Sequence, residues 1–115
     1  TAAKHANGRD WWVLLREHRT SRFFRFLVTP SGVVELDDQQ IGPPILRNGV
    51  GQACFSPQGD KYAVYESIDL VEGHYLNIYG FDRCTGLLNT PLQFNMVDSA
   101  WSGGAAFSPS GRFLY

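Results

Sequence analysis

The chain has 115 residues, enough for one ordinary domain and too few for two. Hydrophobic residues make up 43% and aromatic residues 14%, which excludes a disordered chain. The net charge of −1 gives no general attraction to nucleic acid or anionic membrane, and no apolar run approaches the length of a membrane span.

Taken in order, the chain reads as short strands separated by turns. Thr1 to Asn7 forms a first strand, and Asn7-Gly8 is a strong hairpin signal. Asp10 to Glu17 is a second strand, and His18 to Ser21 a polar turn. Arg22 to Thr29 is a third strand, with Phe24, Phe26 and Val28 on one face and Phe23, Arg25 and Leu27 on the other. Pro30 and Gly32 mark the next turn, and Val33 to Leu36 opens a short fourth strand. Asp37 to Pro44 is polar and Pro-rich, and so is expected to be a loop.

The same plan then recurs. Gly51 to Phe55 and Lys61 to Ser67 are strands, and Ile68 to Gly73 is an acidic loop. His74 to Phe81 is a strand, Asp82 to Gly86 a turn, and Leu87 to Phe94 a strand expected to break near Pro91. A third round opens at Gly103. No stretch has a helical period.

Two segments repeat closely. Gly51-Gln52-Ala53-Cys54-Phe55-Ser56-Pro57-Gln58-Gly59 matches Gly103-Gly104-Ala105-Ala106-Phe107-Ser108-Pro109-Ser110-Gly111 at an offset of 52 residues. Pro57 and Pro109 preset φ, Gly59 and Gly111 supply a positive φ, and Ser56 and Ser108 bond nearby backbone. Asn7-Gly8 falls at the equivalent place, 51 residues before Gln58-Gly59. Repeats of about 50 residues built from four short antiparallel strands predict an all-β propeller. The expected blades are 1–47, 48–98 and the start of a third at 99–115. About two and a half blades do not close a ring, so a piece of a larger propeller is expected. The missing blades would come from further chain or from oligomerisation.

The motif Phe-Ser-Pro-x-Gly resembles the repeat of WD-repeat-like, TolB-like bacterial β-propellers. Three segments resemble a propeller region of Bacteroidetes secreted or cell-surface proteins that use type IX secretion. They are residues 4–12, residues 81–86 and residues 106–115. The resemblance implies a secreted or surface location and a propeller joined to other modules.

Residues 1–25 carry six cations against two acids, a local charge of +4, while the remaining four cations face nine acids. Arg16, Arg19 and Arg22, interleaved with Trp12, are the candidate binding residues, for an acidic glycan or an acidic protein surface. A charged outer blade edge is the structural alternative for these arginines. No catalytic residue is assigned. The serines of the repeat precede Pro in two successive units, which points to turn building. No metal site is expected, since His5, His18 and His74 are scattered and the oxygens near Asp69 and Glu72 are sparse for calcium. Cys54 and Cys84 are separated by a strand and are expected to be free thiols. Trp101 is expected to pack between blades.

The expected function is therefore a non-catalytic propeller module, a scaffold or a platform for a protein or glycan ligand, with no cofactor and no nucleic acid. Its binding loops would be Asp37 to Pro44, Ile68 to Gly73 and Val97 to Ser102. The alternative is part of a propeller enzyme, a lactonase-like hydrolase or a peptidase-associated propeller.

Overall fold

The computed structural model describes residues 1–46, 49–69, 73–97 and 103–115. Its strands are β1 (Ala2–Lys4), β2 (Trp11–Arg16), β3 (Arg22–Thr29), β4 (Gly32–Gln40), β5 (Val50–Phe55), β6 (Lys61–Asp69), β7 (Gly73–Asp82) and β8 (Leu87–Met96). The strands form two four-stranded antiparallel sheets, ordered β1-β2-β3-β4 and β5-β6-β7-β8. No described residue is helical.

The repeated turn is the same structure three times. Ser56 N donates to Lys61 O at 2.9 Å and Gly59 N to Ser56 O at 2.8 Å. Ser108 N donates to Phe113 O at 2.9 Å and Gly111 N to Ser108 O at 2.8 Å. His5 N donates to Asp10 O at 2.8 Å and Gly8 N to His5 O at 3.0 Å. The three glycines lie at φ +70°, +68° and +74°, where a side chain is strained. The serine hydroxyls act alike: Lys61 N donates to Ser56 Oγ and Phe113 N to Ser108 Oγ, both at 3.1 Å. In the first unit Asn7 does this work, its Oδ1 accepting from Arg9 N and Asp10 N at 3.0 Å each.

The core lies between the two sheets. Trp12, Leu14 and Phe23 of the first sheet pack against Tyr62, Val64, Tyr79, Phe81 and Leu88 of the second. Phe23, 0% exposed, meets Tyr62 edge-on at 6.2 Å and Tyr79 at 5.5 Å between ring centroids. Such edge contacts contribute about 0.5–1.5 kcal/mol each beyond the area they bury. Polar side chains then latch one sheet to the other. Arg83 Nε donates to Lys4 O at 2.8 Å, and Arg25 Nη1 to Thr85 O at 3.0 Å. The Gln39 amide both donates to and accepts from the Leu88 backbone, at 2.8 and 2.9 Å.

The structure corrects several expectations. β4 runs on through Gln40, so Asp37 to Gln40 is strand, not loop. It is an outer strand whose polar alternation reflects exposure, and a register shift opposite Phe23 and Arg25 keeps it paired. β8 does not break at Pro91; a register shift between Ile78 and Gly80 and a positive φ of 44° at Thr90 absorb the proline on this edge strand. Ile68 and Asp69 belong to β6 and Gly73 to β7, which shortens the expected acidic loop from both sides. In the third unit Phe107 and Leu114 form an isolated bridge, with the register of the Phe55–Tyr62 pair, and no extended strand. Trp101, Glu72 and most of the expected loop from Val97 to Ser102 lie outside the described residues. Cys54 and Cys84 are free thiols, Cys84 sitting in the β7–β8 turn.

Both outward faces of the pair are apolar. The first sheet turns Trp11, Leu15 and Val33 outward, exposed, with Phe24 and Phe26 half-buried beside them. The second turns out exposed Leu92, Phe94 and Met96. Residues 103–111 already lie along the β5 edge of that second face. The amide of Gln58 donates to Pro109 O at 3.3 Å, and Gly103 sits against the Tyr65 hydroxyl.

Two glycines separate strain from crowding. Gly8 and Gly86 share a positive φ, +74° and +72°, but a Cβ on Gly8 would meet open space, while one on Gly86 would lie 2.6 Å from the Trp12 ring. Gly8→Ala should cost about 1 kcal/mol. Gly86→Ala should cost about 3 kcal/mol or more, since it adds overpacking of the inter-sheet core. Urea unfolding of the two variants gives the comparison; equal losses would mean that Trp12 is not wedged there.

Candidate functional site

Antiparallel order sorts the connections into two ends. The β1–β2, β3–β4, β5–β6 and β7–β8 turns lie at one end. The β2–β3 turn and the β4–β5 connection lie at the other, with Arg16, His18, Arg19 and Ile45. At this second end the sheets part into a cleft of about 260 Å³. Arg16, His18 and Arg19 line it from the first sheet, and Gln52, Val64 and Glu66 from the second.

Arg16 is the best fixed of these groups. Its Nε donates to Thr20 O at 3.0 Å and its Nη2 to Pro43 O at 3.4 Å, and the guanidinium lies 5.8 Å over the Phe23 ring. Nη1 is buried and has no hydrogen-bond partner; its nearest charge is Glu66 Oε1 at 3.5 Å. That separation is longer than the 2.7–2.9 Å of a charge-assisted hydrogen bond. Arg19 holds a left-handed backbone, φ 61°, and its Nε donates to Leu46 O at 2.7 Å. A non-glycine residue held there costs on the order of 1–2 kcal/mol, which the turn sustains.

The other expected binding residues are placed elsewhere. Arg22 pairs with Asp38 at 2.5 Å, stacks 4.8 Å over Phe24 and lines a shallow outer groove. Trp12, 2% exposed, is an inter-sheet core residue whose Nε1 donates to Arg83 O at 2.9 Å, so its ring offers no ligand platform. Of the expected set, Arg16 and Arg19 are brought to one cleft. Glu66 and Gln52 were missed. Glu66 carried a usable signal: it has the strand parity of Tyr62 and Val64, and an acid on a buried face needs a partner.

His74 does not belong to a cation loop. It lies buried in β7, its Nδ1 2.5 Å from the Tyr65 hydroxyl. Among the described residues no group of three or more His, Cys, Asp or Glu is placed to hold a metal ion. No helix of the described residues is long and apolar enough to cross a membrane. Burial pushes the Tyr62 and Tyr79 hydroxyls and the Cys54 thiol up from their ordinary pKa values.

No family model matches this chain, and no curated protein does. Among solved structures, a Bacteroides fragilis protein described as a candidate 6-phosphogluconolactonase is similar, at 18% identity and a TM-score of 0.61. The match covers 99% of this chain and 30% of that one. The two sheets are propeller blades. Their inner strands β1 and β5 approach each other without pairing, as blades do around a shared axis. The chain thus spans less than a third of the length of the propeller it resembles.

Carboxylates hold several blade turns. Hydrogen bonds from Arg9 and Asn7 lower the Asp10 pKa, the Ser56 hydroxyl lowers that of Asp60, and the Cys84 amide that of Asp82. Each carboxyl binds its proton more weakly folded than unfolded. This stability is full above the unfolded pKa, about 3.9, and is lost as pH falls through the lower folded values. Urea midpoints should therefore drop as pH is lowered below about 4. Asp60→Asn should be less stable at neutral pH and show a flatter acid limb. A midpoint indifferent to acid would remove these turns from the stability account.

Proposed function

We propose that this chain is part of a larger propeller acting as a non-catalytic platform, with its ligand taken at the cleft between the first two blades. The observation that carries the reading is the Arg16 guanidinium. It lines the cleft, is clamped by two backbone carbonyls, and its buried third nitrogen makes no hydrogen bond and stands 3.5 Å from Glu66 Oε1. A group fixed in advance loses little freedom when it binds. The expected ligand is an acidic glycan or an acidic protein surface, because Arg19 adds a second cation to the same rim. A secreted or cell-surface location goes with this reading and rests on the resemblance of residues 4–12, 81–86 and 106–115 to surface propellers.

The two apolar faces belong to the same proposal. Further blades of the same repeat cover them, as residues 103–115 begin to do on one side. The exposed aromatic and aliphatic groups then become inter-blade core like Phe23 and Tyr79.

A second reading is a propeller enzyme of the lactonase type, favoured by the likeness to the Bacteroides fragilis candidate lactonase. Two measurements decide. Acidic glycans and acidic peptides should shift the backbone amides of residues 16–22 and 50–52 in NMR spectra and leave residues 56–60 unmoved. Lactone opening should stay at the spontaneous rate; opening that Arg16→Ala abolishes would favour the enzyme. For the faces, light scattering should show the chain self-associating, and Trp11→Glu with Phe94→Glu should return it to a monomer. A monomeric parent chain would count against blade-covered faces.

A further inference from the structure

We propose that the bare half of the second sheet's outward face is a strand-addition site that takes a two-stranded hairpin of this repeat. The proposal rests on the reading that further blade structure covers that face, and it narrows the cover to one occupant. The two sheets share a register. Val28 and Tyr79, 51 residues apart, pair with Trp11 and Tyr62. Arg25 and Leu76, also 51 apart, pair with Leu36 and Phe94, and Leu27 and Ile78 pair with Val34 and Leu92. The outward face of the second sheet is therefore the counterpart of the face that the first sheet turns inward. In the observed joint that inward face meets Tyr62 of β6, Tyr79 and Phe81 of β7, and Leu88 of β8.

On the second sheet the β5–β6 half of this counterpart is already taken. Gly103 stands against the Tyr65 hydroxyl, Gly104 beside the Gln52 amide, and Gln58 donates to Pro109 O. The Phe107–Leu114 bridge repeats the Phe55–Tyr62 pair, so Leu114 holds the place of Tyr62. A whole sheet of a second copy would need that same place, which leaves room for two strands. Ala106 and Tyr115 exchange both backbone bonds, at 3.0 and 2.9 Å. The N–H and C=O of Leu114 therefore point to the other edge, where they make no backbone bond among the described residues. An added strand pairs with Leu114 as Tyr79 pairs with Tyr62, and its alternate side chains lie on half-buried Leu76 and Ile78 and exposed Leu92 and Phe94. The side chains of the occupant follow from what the face lacks. In the first joint Arg25 donates to Thr85 O and Gln39 bonds the Leu88 backbone. Leu76 and Met96 stand at those two places on the second sheet. The occupant is thus held by apolar contact without these latches, with aromatic residues at the Tyr79 and Phe81 positions and leucine at that of Leu88.

The test uses the whole chain carrying Trp11→Glu, which closes the first sheet's face, and a synthetic hairpin of residues 76–90 as the probe. The expected result is saturable binding that shifts the amides of residues 112–115 and the methyl groups of Leu92 in NMR spectra. Exchange of the Leu114 amide with solvent should slow about tenfold as it gains a partner. Tyr79→Ser with Phe81→Ser in the peptide, or Phe94→Glu in the chain, should weaken binding about tenfold or more. If Phe94→Glu does not fold, Leu92→Ser takes its place. Affinity at low and high salt should agree within about twofold, since apolar contact is not screened. No binding, equal binding of the serine peptide, or an unchanged Leu114 amide overturns the proposal. Self-association of the Trp11→Glu chain that Phe94→Glu abolishes and the hairpin does not compete with would assign the face to a second copy, and overturns it as well. Failure of the hairpin while acidic ligands still shift residues 16–22 would leave the platform standing. Binding of the hairpin with no acidic ligand at the cleft would remove the cleft reading alone.

Discussion

The structure depends on the joint between its two sheets, and that joint turns on one ring. Phe23 stands edge-on to Tyr62 and Tyr79 with no exposed surface. A four-stranded antiparallel sheet cannot bury its own face; it needs another sheet about 10 Å away. The aromatic contact supplies the apolar area. The Tyr79 hydroxyl has no hydrogen-bond partner, so packing, not polarity, holds this ring in place.

Around that joint, polar latches fix the angle between the blades. Arg83 donates to Lys4 O and to Gln58 O, and Arg25 links Asp37 O to Thr85 O. Gln39 borrows the backbone of Leu88 as an extra strand residue would. The bonds to Lys4, Gln58 and Thr85 close the turn-rich end tightly. At the other end Arg16 and Glu66 approach only to 3.5 Å, and the cleft opens there. The joint is thus latched at one end and open at the other.

The charge pattern follows that division. Arg22 and Arg25 are three residues apart on one strand and so face opposite ways: Arg22 pairs with Asp38 on the outer edge, while Arg25 is buried between the sheets. A cation-rich first quarter of the chain thus splits into an edge charge, an inter-blade brace and the pair at the cleft. Its local excess of charge is not one patch.

Strand order, turn chemistry and the repeat were legible in the sequence because each is local. Pro and Gly set φ within a few residues, and the alternation of Phe23, Arg25 and Leu27 against Phe24, Phe26 and Val28 sets the faces. Edge strands were misjudged where polar residues and Pro91 suggested loops, since an outer strand has one solvated edge and tolerates both. The cleft was only half legible. Arg16 and Arg19 announced themselves by charge, but Glu66 is fifty residues from Arg16 and meets it only because the sheets stack. Trp12 looked like a surface aromatic and became core for the same reason. Sequence alone determined what each blade is, since hydrogen-bonded neighbours are sequence neighbours. Which residues of different blades face each other, and hence where the cleft opens, was decided by packing between sheets.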